Sequence, residues 1–306
     1  MIVSNLDIPA FPDPRLDCER TTKTHDIRCR DPFVMRAGSV YYLYRSREGK
    51  IECLTSLDLK TWSNPIVVFD PPKDFYGDKQ FFWAPECHYY NGNFYIFTSC
   101  HSRETNTRRI SVYRASTPLG AFTEITKGGI TSGDIDAIDG TLWIENGIPY
   151  MVFVHEWTCM PDKIGSFEYA PLGDDFTCFA DKPKHLFYAD EIENATEGVT
   201  DGCFMFRTDE GRLGMIWSNF VKGEYVLAKA YSSDGTLGGK WTQSGLLYAH
   251  GLRPGFDFDG GHGMIFRKTD GGYAVVYHSP NAPEKGDIEH LTISDLNLTD
   301  NDISIK

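Results

Sequence analysis

The sequence predicts an all-β chain folded as a five-bladed β-propeller. Three observations carry this: an apolar hairpin that recurs five times, the absence of any helical apolar period, and a strand-rich aromatic composition. The recurring unit is a short apolar strand, a tight turn with Gly, and a strand of aromatic and β-branched residues. Among 306 residues, 42 are aromatic and 45 are Gly or Pro, which suits many strands joined by turns.

The five units follow one another along the chain. Pro32-Phe33-Val34-Met35 leads into Val40-Tyr41-Tyr42-Leu43-Tyr44, and Glu86-Cys87-His88-Tyr89-Tyr90 into Phe94-Tyr95-Ile96-Phe97. Thr141-Leu142-Trp143-Ile144 leads into Pro149-Tyr150-Met151-Val152-Phe153, and Cys203-Phe204-Met205-Phe206 into Leu213-Gly214-Met215-Ile216-Trp217. The fifth is Gly263-Met264-Ile265-Phe266 into Tyr273-Ala274-Val275-Val276-Tyr277. Their turn glycines, Gly38, Gly92, Gly147, Gly211 and Gly271, are 54, 55, 64 and 60 residues apart. That period has room for four strands and functional loops.

Third strands follow the hairpins and end in polar corners such as Ser56-Leu57-Asp58 and Ser232-Ser233-Asp234-Gly235. No stretch of twelve or more residues carries apolar positions at i, i+3, i+4 and i+7, which removes the helices of Rossmann and TIM-barrel folds. Five four-stranded blades, twenty strands in all, fit residues 1–306 as a single catalytic domain. A large β-sandwich is the alternative, because hairpins alone do not fix closure.

Composition narrows function. Lys plus Arg number 30 against 43 Asp plus Glu, a net charge of −13 that repels a phosphate backbone, so no nucleic-acid partner is expected. No run approaches the roughly 18 apolar residues of a membrane helix, and no membrane partner is expected. Met1–Arg20 lacks a basic start followed by an apolar run. That pattern fits a cytoplasmic protein starting at Met1, or a secreted or periplasmic one whose leader was removed, and leaves the compartment open. The eight cysteines contain no Cys-x-x-Cys pair, against zinc ribbons and thioredoxin-like chemistry. Several lie in apolar strands, where buried free thiols are expected.

In a propeller the first strand of each blade lines the axis, so residues just ahead of each hairpin converge on one funnel. Asp31 lies seven residues before Gly38, Asp139 eight before Gly147, Glu197 fourteen before Gly211 and His262 nine before Gly271. The second blade offers Trp83-Ala84-Pro85-Glu86 there. Each is an ordinary turn residue alone. Three carboxylates and a histidine around one axis are costly to bury, and that cost points to chemistry or a cation.

Taken together, Arg30-Asp31-Pro32-Phe33, Trp83-Ala84-Pro85-Glu86, Ile138-Asp139-Gly140, Glu197-Gly198 and Gly261-His262-Gly263 resemble glycoside hydrolase family 43 over about residues 26 to 280. The resemblance implies a five-bladed propeller that hydrolyses arabinose- or xylose-containing glycans with inversion. It makes Asp31 the general base, Asp139 the carboxylate that orients the acid and tunes its pKa, and Glu197 the general acid. It also implies a hydrated calcium or similar cation beside His262, and no organic cofactor. Val199 stands where family members commonly have Pro, and Asp136 competes with Asp139 for its role; the offset to the hairpin favours Asp139.

An inverting hydrolase needs an acid for the leaving oxygen and a base for water, about 6.5 to 9.5 Å apart. Sugar C–H faces pack on aromatic rings, which makes Trp83 and Phe33 candidate substrate-binding residues, with Phe82 and Trp157 nearby. Arg253 either holds a sugar hydroxyl or makes a surface salt bridge. The expected activity is release of terminal pentose, α-L-arabinofuranose first and β-D-xylose second. A glycan phosphorylase, with Arg28 and Arg30 beside Asp31, and a non-catalytic glycan-binding propeller are the rival readings.

Overall fold

A computed structural model describes residues 8–78, 82–280, 288–299 and 301–306. Five antiparallel sheets follow one another in chain order. Blade one holds β1 (Arg20–Lys23), β2 (Phe33–Ala37), β3 (Val40–Arg47), β4 (Lys50–Ser56), β5 (Thr61–Ser63) and β6 (Ile66–Phe69). Blade two holds β7 (Trp83–Tyr90), β8 (Asn93–Ser102), β9 (Thr107–Ala115) and β10 (Thr123–Glu124). Blade three holds β11 (Ala137–Glu145), β12 (Ile148–His155), β13 (Ser166–Pro171) and β14 (Lys184–Tyr188). Blade four holds β15 (Asp201–Arg207), β16 (Leu213–Val221), β17 (Glu224–Ser232) and β18 (Trp241–Tyr248). Blade five holds β19 (Gly261–Arg267), β20 (Tyr273–Ser279), β21 (His290–Leu298) and β22 (Ile303–Ile305).

The five hairpins read from the sequence are the two inner strands of each blade. Their turn glycines all have positive φ, 58° at Gly38 and 81° to 85° at the others, a region where a side chain is strained. β2, β7, β11, β15 and β19 touch one another in a closed ring. Closure therefore comes from these inner strands, and the sandwich alternative is excluded.

Blade one departs from the expected four strands. β1 adds to β5 at the outer edge, and β6 pairs with β4 beside β5. Both are short, four residues each, below the length at which alternation can be read. The chain between β1 and β2 also ties the ring: Cys29 N–H donates to Glu289 O at 3.2 Å, and Leu291 N–H to Ile27 O at 2.9 Å. These bonds join the entry to blade one to the start of β21.

Apolar alternation places the core between blades. Trp62 and Trp217 are fully buried, and Phe69, Phe75, Phe82 and Tyr113 pack ring on ring between blades one and two. All eight cysteines are free; five are buried, Cys18 is partly exposed, and Cys159 and Cys178 are exposed.

Candidate active site

Four of the five inner strands carry a register shift at their first residues, between Trp83 and Glu86, Ile138 and Thr141, Asp201 and Phe204, and Gly261 and Met264. Each shift holds one residue in the left-handed region: Ala84 at φ 45°, Asp139 at 55°, Gly202 at 56° and His262 at 44°. Asp31, at φ 48°, stands at the same point ahead of β2. Left-handed non-glycine residues store strain and cluster at functional sites. Here one such slot recurs in every blade.

In four of the five slots the residue's N–H finds a partner in a neighbouring blade. Asp31 N–H donates to His278 Nδ1 at 3.1 Å, Asp139 N–H to Ser99 Oγ at 2.9 Å, and His262 N–H to Ser218 Oγ at 2.8 Å. Gly202 N–H donates to Asp139 Oδ2 at 3.0 Å. The slots are thereby fixed to one another around the axis and form the floor of a funnel.

His262 Nδ1 lies 3.1 Å from Asp31 Oδ1 and 3.7 Å from Asp139 Oδ2, and His278 Nδ1 lies 3.4 Å from Asp31 Oδ1. Burial would raise the Asp31 carboxyl, but the charge of His262, His278 and Arg30 outweighs it and holds Asp31 well below the usual carboxylate range. Asp139 goes the other way, pushed well above its ordinary value by burial and by the Asp31 charge. Two aspartates facing one histidine are thus shifted in opposite directions. That is the separation acid–base chemistry requires.

The cavity above this floor measures about 770 Å³. Asp31, Asp139, Glu197 and His262 all line it, as do Phe82, Trp83 and Trp157. Asp136 does not; its carboxylate accepts the Arg108 N–H at 2.6 Å.

Three expectations need correction. Glu197 lies on the loop ahead of β15, exposed, and the blade-four slot is Gly202, nine residues before Gly211. Phe33 is 3% exposed and packs against His88 and Phe204 beneath the floor, outside the cavity lining, because alternation in β2 turns it inward. Arg253 is also outside the lining. Its guanidinium donates to Ile305 O at 2.5 Å and to Lys306 O, and lies over Phe256, so it fastens the C-terminal strand.

Sequence reasoning missed several residues. Asp201, one residue before the Gly202 slot, lines the cavity and accepts the Tyr225 hydroxyl at 3.0 Å. Glu86, beneath the floor, hydrogen-bonds His88 Nε2 at 3.0 Å, and the Leu142 N–H also donates to that nitrogen at 3.4 Å. Burial pushes Glu86 up to about 8 and His88 down to about 3, so the pair is neutral, with the proton on the carboxyl. On the wall, the Arg108 guanidinium sits 4.9 Å over the Trp83 ring and pairs with Glu156, itself a lining residue.

The surroundings of His262 do not fit a directly bound cation. Among the described residues no group of three or more His, Cys, Asp or Glu side chains is arranged to hold a metal ion. Nδ1 of His262 is directed at two carboxyl groups instead.

A propeller funnel with clustered carboxyl groups at its floor and tryptophans on its wall has the make-up of a carbohydrate-processing site. The chain belongs to the glycosyl hydrolases family 43, whose model matches residues 25–302. It is 32% identical to the endo-arabinase from Bacteroides thetaiotaomicron VPI-5482, with a TM-score of 0.81 over 92% of this chain and 99% of that one. It is 28% identical over 149 residues to the extracellular endo-alpha-(1->5)-L-arabinanase 1 of Bacillus subtilis (strain 168), covering 42% of this chain and 43% of that protein. An α-L-arabinofuranosidase from Lactobacillus brevis shares the fold, with a TM-score of 0.74 at 20% identity over 93% of this chain and 97% of that one.

Proposed function

We propose that this chain hydrolyses α-L-arabinofuranosyl linkages of arabinan-type glycans with inversion at the anomeric carbon. The observation that carries the reading is the placement of Asp31 and Asp139 on either side of His262 within one cavity, 3.1 Å and 3.7 Å from its Nδ1, with their carboxyls shifted in opposite directions. Asp31, held ionised, serves as the base that takes a proton from water. Asp139, held by the Gly202 N–H, positions the reacting groups, and a carboxyl from blade four protonates the leaving oxygen. The likeness to two arabinan-cleaving proteins favours arabinose over xylose, which stands second.

The same likeness favours cleavage inside the chain. Terminal release is the second reading, favoured by a closed floor: the side chains of Asp139 and His262 are only 5% and 8% exposed, so a ring must enter end-on to reach them. Linear arabinan separates the two readings. Internal cleavage gives a ladder of oligosaccharides and an early fall in viscosity, whereas terminal release gives arabinose alone. Proton NMR of the first-formed anomer tests inversion, and a product that keeps the substrate's configuration would remove water activation from Asp31.

A further inference from the structure

We infer that Asp201 is the general acid of this site, the carboxyl that protonates the departing glycosidic oxygen, and that Glu197 is a rim residue outside the proton transfer. The inference rests on the hydrolase reading above. It stands on the way each blade delivers side chains to the funnel.

The residue immediately before each slot forms the wall. Arg30, Trp83, Ile138 and Asp201 hold this position in blades one to four, and all four line the cavity. In blade four the slot itself is closed to any side chain. A Cβ on Gly202 would lie 2.7 Å from the His262 Cγ, closer than packed carbon atoms approach. The inner strand of blade four can therefore present a carboxyl only from the wall position. Glu197 is four residues earlier on an exposed loop, and among the described residues it has no hydrogen-bond or ion-pair partner.

Asp201 is also held as a proton donor must be. The Tyr225 hydroxyl donates to its Oδ2 at 3.0 Å, and the Tyr225 ring stacks on His278 at 5.6 Å with an 11° interplanar angle. Gly261 makes room for that ring: a Cβ there would lie 2.5 Å from Tyr225 Cε1. No other hydrogen bond engages the Asp201 carboxyl among the described residues, which leaves Oδ1 to carry a proton in a residue that lines the cavity. The charged and titratable groups around it are Asp139 from blade three, Asp31 from blade one, His262 from blade five and Tyr225 from its own blade, with Arg30 across the wall. Burial and Asp139 raise the Asp201 carboxyl, His262 and the Tyr225 hydrogen bond oppose them, and the balance lies at about 7. Such a group keeps its proton in weakly acidic solution and can still give it up.

In the reaction the Asp201 O–H proton passes to the glycosidic oxygen as the C1–O bond breaks. A water oxygen bonds to C1 from the opposite face and loses a proton to Asp31. One water is consumed, two hydroxyl-bearing products leave, and the proton gained by Asp31 and lost by Asp201 is exchanged with solvent before the next turnover.

The test compares Asp201→Asn, Asp201→Glu, Glu197→Gln and Asp31→Asn on linear arabinan and on aryl arabino-oligosaccharides with good and poor leaving groups, across pH. Wild-type kcat/KM on arabinan is expected to fall above about pH 7, the position of the Asp201 carboxyl. Asp201→Asn should lose roughly 10³-fold on arabinan and less than about 10-fold on the dinitrophenyl substrate, with the basic limb gone. Asp201→Glu should keep the limb at a shifted midpoint, and this holds as a test even if the amide variant folds poorly. Glu197→Gln should keep both the limb and the leaving-group dependence of the wild type. If Glu197→Gln instead shows the acid signature, or Asp201→Asn loses equally on both substrates, the assignment to Asp201 is overturned while hydrolysis stands. Unchanged arabinan hydrolysis in Asp31→Asn would overturn the assignment of Asp31 as the base, and a wild-type protein that leaves every arabinan substrate intact would overturn the hydrolase reading itself.

Discussion

Gly202 donates its N–H to Asp139 Oδ2 at 3.0 Å across the seam between blades three and four. The same glycine has φ of 56° and faces the His262 ring. A backbone position of blade four thus fixes a carboxyl of blade three and leaves space for a histidine of blade five.

Gly202→Ala should therefore be damaging out of proportion to its size. It adds left-handed strain and a clash with His262, together about 2 kcal/mol or more. Thermal melts should show the loss, and turnover should fall further than stability alone explains because Asp139 and His262 are displaced. A variant with wild-type stability and turnover would mean that the slot has slack the geometry does not show.

Asp31→Ala should reduce kcat by roughly 10³-fold on every substrate, activated or not, since water always needs its base. Activity measured with dinitrophenyl and natural leaving groups decides it. Recovery on the activated substrate would assign Asp31 to leaving-group protonation instead.

The Trp83 ring and the Arg108 guanidinium above it form one wall of the funnel. Removing the ring in Trp83→Ala should raise KM about 5-fold with a smaller change in kcat, the size expected for one lost stacking contact of about 1 kcal/mol. Arg108→Ala should shift KM in the same direction by less, because the ring remains but loses its support. A loss confined to kcat in either variant would place this wall in the chemistry.

Stability should depend on pH through the buried Glu86 and His88. Glu86 is raised by burial from 4.5 to about 8, so its contribution is complete below pH 4.5 and is lost as pH rises toward 8. His88 is lowered by burial from 6.5 to about 3, so its penalty is relieved as pH rises from 3 to 6.5. The two oppose each other between pH 4.5 and 6.5, and above 6.5 only the Glu86 loss continues. Denaturation midpoints should fall between pH 6.5 and 8, and Glu86→Gln should flatten that limb. A wild-type midpoint level across this range would contradict the neutral pair.

The hairpins were legible because each combines period-two apolar strands with a turn glycine, and both signals follow from how a strand buries one face. Asp31, Asp139 and His262 were legible because their offsets from the turn agree within two residues. Blade four misled: Glu197-Gly198 imitates Asp201-Gly202, and only counting nine residues back from Gly211, as for His262 and Gly271, separates them. Phe33 has the composition of a sugar platform, and its inward orientation depends on strand register. Arg253 carries no sequence signal for the C-terminal carbonyls it binds, which lie 52 and 53 residues further on.

Wall and floor are consecutive residues of one strand, Arg30 then Asp31, Trp83 then Ala84, Ile138 then Asp139, Asp201 then Gly202. A single-residue deletion at any of these bends would exchange the two layers in that blade while leaving the other four in phase. The architecture therefore behaves as four independent dials, each setting what a sugar meets in one sector. Substitution at a wall position can retune recognition sector by sector, whereas the floor positions of Asp31, Asp139, Gly202 and His262, tied across the seams, can only change together.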